Sequence, residues 1–291
     1  MIASMLTPTP SGASQLDALR QRRDRDASPK TPVNGGVPTL VCASGRGGSG
    51  TTLMAALLAV AAAGDGLRVL LVDADELVGP LALLLGVSAR ASWLDLRGGR
   101  VSPLAIATPV STTLTFVAGG AARHAATSTA LTGAERRACM RRVATLSQGM
   151  DLVVIDCGAR LEAIAACIAP HTNERLMAIA AGADPIGLAS TYALCKAVHA
   201  RHGAVPLDVL VNRHDGTEAV RCFDAIDAGV RQFLGGTVRF AGAVPTDPTL
   251  DAAVRAGMPF PDAAAGSPAA IAAHDVVMRT LVGTSSNRPS V

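Results

Sequence analysis

The chain has 291 residues, 49% of them hydrophobic and 17% charged, which allows one large domain with a sizeable core and excludes disorder throughout. Its net charge of +3 is too small, and its cations too scattered, to point to nucleic acid. The longest apolar stretch, roughly residues 52–63, is too short to cross a bilayer, and residues 1–20 lack the basic-then-apolar order of a secretory signal, so a cytoplasmic protein is expected.

Residues 1–36 are rich in Pro, Ser, Thr, Gly and Arg and are expected to form a flexible tail, with a short helix over 15–23. The folded part is expected over 37–283, followed by a polar tail over 284–291. Within it, short β-branched runs alternate with longer helical patterns, the signature of βαβ units. Strands are predicted over 39–43, 68–73, 114–117, 152–156, 176–180, 207–212 and 238–244. Helices are predicted over 52–63, 135–147, 161–168, 186–202, 218–233, 248–256 and 268–281. The expected fold class is α/β, a mainly parallel sheet with helices on both faces, its strand order not readable from the pattern. The six cysteines form no C-x-x-C pair and are expected as small buried hydrophobes. His199 and His202 share a helix face but have no acidic or thiol partner, which argues against a metal there.

The first strand runs into Ser44-Gly45-Arg46-Gly47-Gly48-Ser49-Gly50-Thr51-Thr52 and then directly into a helix. Such a turn can merely reverse the chain. Between strand and helix, however, it also aims several backbone N–H groups and a helix N-terminus at one point, which suits a phosphate. Thr52 falls where a P-loop uses a hydroxyl to hold Mg²⁺. The second strand ends in Asp73-Ala74-Asp75 and a later one in Asp156. Any one of these acids serves equally well as a strand-end or capping carboxylate. Together, at the carboxyl ends of parallel strands, they converge on the crevice where open α/β sheets bind ligands. Asp156 would then support Mg²⁺ through a water, Asp73 would fix that shell, and Asp75 would orient an attacking water.

These runs resemble the deviant Walker A, the D-x-D and the Walker B of the MinD/ParA ATPases, and the resemblance covers nearly all of residues 37–282. Within that superfamily, the stretch from Ala183 to Lys196 is similar to the E-P-T-S-I-T-D-A-Y-A-L-I-K segment of the FlhG (FleN) flagellar-number regulators. Gly242-Ala243-Val244-Pro245-Thr246-Asp247 is similar to their G-x-I-P-x-D. In the tail, residues 14–20 are a degraded match to the D-Q-A-x-x-L-R segment that contacts the GTPase FlhF, with Gln15, Leu19 and Arg20 matching and Ser14 and Leu16 departing.

The resemblance implies ATP and Mg²⁺ as ligands and a nucleotide-dependent homodimer. It implies an FlhF-type GTPase or flagellar components as partners. Gly45, Arg46, Gly47, Gly48, Ser49, Gly50, Thr51 and Thr52 would surround the phosphates. Asn212 would recognise the adenine, with Val244 and Pro245 closing that pocket. Arg46 stands where the family's signature lysine reaches across the dimer, and a guanidinium can keep that role. The chain is poor in lysine, having only Lys30 and Lys196.

Thr51 departs more seriously, standing where a P-loop lysine contacts the β- and γ-phosphates. Losing one charge-assisted contact costs roughly 1.5–3 kcal/mol. Binding is therefore expected to survive on backbone donors, with hydrolysis slow or absent. The leading expectation is an FlhG-like switch controlling flagellar number or placement. The alternatives are a non-hydrolysing TadZ/CpaE-like scaffold for a pilus or secretion apparatus, and a ParA-type partition or cellulose-synthesis relative. Direct membrane attachment is not expected, because residues 283–291 carry neither an apolar face nor a basic cluster.

Overall fold

The computed structural model describes residues 36–76, 79–120, 131–168, 174–181, 184–203 and 205–285. Its strands are β1 (Thr39–Ala43), β2 (Val69–Asp73), β3 (Ala107–Pro109), β4 (Leu114–Val117), β5 (Leu152–Asp156), β6 (Glu174–Ala181), β7 (Leu207–Asn212) and β8 (Arg239–Val244). The helices are α1 (Thr51–Gly64), α2 (Leu81–Leu84), α3 (Gly133–Val143), α4 (Leu161–Cys167), α5 (Pro185–His202), α6 (Gly216–Leu234), α7 (Pro248–Arg255), α8 (Phe260–Ala264) and α9 (Pro268–Ser285).

One sheet contains all these strands in the order β3-β4-β2-β5-β1-β6-β7-β8. Every pairing is parallel except β3 with β4. The interior strands are apolar almost without interruption because helices cover both of their faces. Leu40, Cys42, Leu71, Val154 and Ile179 pack on the side of α1, α8 and α9. Val41, Ala43, Val72, Ile155 and Ala178 pack on the side of α3, α4 and α5. Beyond them, Cys222, Ile226 and Val230 of α6 cover Val209 and Val211 of β7. α1 is buried on most of its circumference, with Met54, Leu57 and Leu58 essentially inaccessible, as a helix apolar all round must be. All six cysteines are buried and free.

All seven expected strands are present, with bounds within two residues. The short β3 was not expected; it lies at the sheet edge and ends in Pro109, which lacks the N–H that an interior ladder would need. The helix expected over 135–147 ends at Val143 and tightens into a 3-10 turn over Ala144–Ser147. Its start at Gly133 is fixed by a capping box between Thr132 and Glu135. α9 runs four residues past the expected end of its helix, through Gly283, which a helix tolerates near its terminus. Among the described residues, no helix is long and apolar enough to cross a membrane.

At the amino ends of β6, β7 and β8, Asp208 is 0% exposed and accepts paired hydrogen bonds of 2.8–2.9 Å from both Arg175 and Arg239. Burial alone would raise this carboxyl; the two guanidinium groups more than reverse that and hold it below its usual range. Removing its charge leaves two cations facing each other. Asp208→Asn is therefore expected to cost about 3 kcal/mol or more, read as a lower urea midpoint with an unchanged slope.

Candidate functional site

The strand order places the carboxyl ends of β1, β2 and β5 side by side, with β1 between β5 and β6. From β1 the chain enters the Gly-rich loop, and Gly50 ends it in a left-handed conformation at φ 85°, one residue before α1 begins. A side chain at Gly50 would be strained by that φ, and its Cβ would lie 2.5 Å from Asn212 Nδ2. Gly45 has no more room, since its Cβ would fall 1.8 Å from the Ser190 carbonyl on α5. The loop is thus drawn tight by its neighbours. Inside it, Ser44 and Ser49 both donate to the Arg46 carbonyl, at 2.9 and 3.1 Å. Asn212 donates from Nδ2 to the Ser49 carbonyl at 3.0 Å, tying the end of β7 to the loop.

Thr51 is 6% exposed, and its hydroxyl donates to Ser44 Oγ at 2.8 Å. It closes the base of the loop as a neutral group. Thr52, the next residue, stands beside the Asp156 carboxylate and acts to lower its pKa. Gly158 N–H donates to Asp156, at 3.0 Å.

Asp73 and Asp156 are register partners on β2 and β5. Asp73 is wholly inaccessible; Oδ1 accepts from the Asp75 amide at 2.9 Å, whereas Oδ2 faces Gly79 and makes no full hydrogen bond, with the Leu81 amide exerting a weaker pull on the carboxylate. Burial first, and then Asp156, push the Asp73 carboxyl up to about 8. Asp156 is also raised, again chiefly by burial, against the opposing effects of the Thr52 side chain and the Gly158 amide. A buried pair of carboxylates with a hydroxyl beside it is an oxygen-only set of the kind a hard divalent cation takes, so Thr52, Asp73 and Asp156 are the residues that could hold Mg²⁺.

Two ion pairs flank this centre. Arg46 Nη2 lies 3.3 Å from Asp184 Oδ2, at the N-cap of α5. Asp184 is held below its ordinary range, first by the Gly187 amide and also by Arg46. Arg160, from the loop after β5, donates to Asp75 Oδ1 at 3.1 Å. On the far side of the loop, Leu53, Met54, Asn212, Arg213, Val244 and Pro245 line a shallow groove. Arg213 has φ 66°, the one positive φ outside glycine among the described residues, and its amide donates to the Val244 carbonyl at 2.8 Å.

Gly45, Arg46, Gly47, Gly48, Ser49, Gly50, Thr51, Thr52, Asp73, Asp75 and Asp156 therefore gather around one crevice, with Asn212 and Pro245 in the adjoining groove. Gln15, Leu19 and Arg20 lie outside the described residues. Sequence reasoning missed Arg160, Asp184 and Trp93. Trp93 is fully buried and donates from Nε1 to the Asp73 carbonyl at 2.9 Å, fixing the backbone that carries the acid. An Asp-Pro pair opening a helix marks Asp184 as a cap, but nothing local marks the other two.

A model of the CobQ/CobB/MinD/ParA nucleotide binding domain matches residues 40–260, and the chain belongs to that family. The Antiactivator FleN of Pseudomonas aeruginosa is 25% identical over 225 residues, spanning 75% of this chain and 77% of that protein. Among solved structures, the septum site-determining protein MinD of Pyrococcus horikoshii, complexed with Mg-ADP, superposes with a TM-score of 0.67 at 22% identity, covering 87% of this chain and 100% of that one. The cell division ATPase MinD of Pyrococcus furiosus gives 0.66 at 21% identity, over 83% of this chain and 97% of that one.

The raised Asp73 carboxyl has a measurable consequence. Unfolded it ionises near its ordinary 3.8, and folded near 8, so the folded state keeps a proton that the unfolded chain has lost between those values. Stability contributed by this group is complete below the lower value and is lost as pH rises through the upper one. Asp73→Asn is expected to melt above the wild type at about pH 9, by about 3 °C or more. The gap should close near pH 5; a gap of the same size at both pH values would place the stress elsewhere.

Proposed function

We propose that this protein is an ATP-binding regulatory switch with weak or absent hydrolysis, of the FlhG kind that controls the number or placement of flagella. The observation that carries it is the contrast at the first turn of α1: Thr52 stands beside Asp156 and the buried Asp73, whereas its neighbour Thr51 is neutral and committed to Ser44. The parts that bind are present, and the charge that speeds turnover is missing.

In this reading the backbone donors of residues 45–52 hold the phosphates, and Asn212 with Val244 and Pro245 holds the adenine. Mg²⁺, when bound through Thr52 and Asp156 with Asp73 behind them, neutralises phosphate charge. Asp75 orients water. Arg46 leaves Asp184 to meet the nucleotide of a second copy, so that the homodimer forms only when nucleotide is bound. The 25% identity to FleN supports the flagellar assignment. An FlhF-type GTPase or flagellar components would read the dimer, through residues 14–20. Such a switch would act in the cytoplasm.

The neutral Thr51 favours one second reading, a non-hydrolysing scaffold of the TadZ/CpaE kind that locates a pilus or secretion apparatus. Equilibrium binding of a labelled ATP analogue with Mg²⁺, paired with light scattering, separates the two. The switch predicts binding at micromolar nucleotide and a doubling of mass, and faster phosphate release in Thr51→Lys by about tenfold or more. Wild-type protein that stays unliganded at millimolar ATP would leave a scaffold that keeps only the fold.

A further inference from the structure

Thr51 leaves the crevice without the cation that a P-loop carries within its own loop. Of the residues between β1 and α1, β2 and α2, and β5 and α4, the cationic ones are Arg46 and Arg160. Arg46 is drawn toward Asp184 on the α5 side. Arg160 sits on the opposite side, one-third exposed at 33%, against an Asp75 that is 36% exposed.

The segment that presents Arg160 is fixed from both directions. The Ser44 amide donates to the Gly158 carbonyl at 2.9 Å, and the Gly158 amide donates to Asp156 Oδ1 at 3.0 Å. The Arg160 amide turns back to the Cys157 carbonyl at 3.2 Å. Gly158, within this turn, is therefore bonded through its carbonyl to the first residue of the phosphate loop and through its amide to the carboxylate assigned to Mg²⁺. A guanidinium has five N–H donors in a planar fork. The bond to Asp75 Oδ1 uses one of them, so the fork can keep Asp75 and still serve a phosphate oxygen.

We propose that Arg160 contacts the terminal phosphate of a bound nucleoside triphosphate and supplies, within one chain, the positive charge that Thr51 cannot. Its pair with Asp75 holds it in place before the ligand arrives. This assignment rests on the nucleotide-switch reading above and names the residue that lets the site tell a triphosphate from a diphosphate.

The test is titration of fluorescent ATP and ADP analogues, with Mg²⁺, into the full chain, Arg160→Ala, Arg160→Lys and the double variant Arg160→Ala with Thr51→Lys. Arg160→Ala is expected to weaken the triphosphate by about tenfold to a hundredfold, the range for one charge-assisted contact, and to leave the diphosphate unchanged. Arg160→Lys keeps part of the preference, and a lysine at position 51 restores it in the double variant. If thermal melting shows that Arg160→Ala is unfolded, Arg160→Gln, which can still hydrogen-bond Asp75, carries the same comparison. Equal weakening of both nucleotides without rescue, or an unchanged triphosphate affinity, overturns the role of Arg160 while leaving the switch intact. A wild type that binds neither nucleotide overturns the switch reading, and Arg160 with it.

Discussion

Asp73 and Asp156 stand side by side at the ends of neighbouring parallel strands, both buried, where water cannot screen one from the other. Two carboxylates in such a place need a shared proton or a cation between them. Much of the surrounding structure answers that need in part. The Gly158 amide donates to Asp156, the Asp75 amide donates to Asp73, and Trp93 pins the Asp73 carbonyl. Asp73 Oδ2, beside Gly79, still makes no full hydrogen bond, so the burial of the pair stays incompletely compensated.

The loop that faces these acids is neutral at Thr51, and the charges have moved to its flanks. Arg46 pairs with Asp184 at one side and Arg160 with Asp75 at the other. A lysine inside the loop would act on a phosphate from a fixed position. Arginines already paired with carboxylates would have to share themselves between that partner and a ligand. Such sharing suits a site whose output is a change of contacts more than a fast reaction.

Much of the fold was legible because parallel interior strands read as unbroken apolar runs, as at Val69–Asp73 and Leu152–Asp156, and end in the acids that the site uses. The phosphate loop was equally legible from its glycines and its place between strand and helix. Strand order was not, since an apolar run does not say which other run it pairs with. β3 was too short and too proline-bound to stand out. The pair Arg160–Asp75 joins residues 85 positions apart and depends entirely on β2 and β5 being neighbours. The left-handed Arg213 could not be foreseen either, because arginine carries no preference for that conformation.

The bond from Asn212 to the Ser49 carbonyl reaches further than its role as a tie. A side-chain amide can face its surroundings either way round, and the two orientations differ by exchanging a donor for an acceptor. With Nδ2 spoken for by a carbonyl, the reversed orientation would set oxygen against oxygen. Oδ1 is therefore the atom turned away from the loop, an acceptor whose position is dictated by the phosphate cradle. A purine entering the groove beside Asn212 would meet an acceptor, which welcomes an exocyclic amino group and repels a carbonyl. A loop that held one end of a nucleotide would thus set the chemical preference for the other.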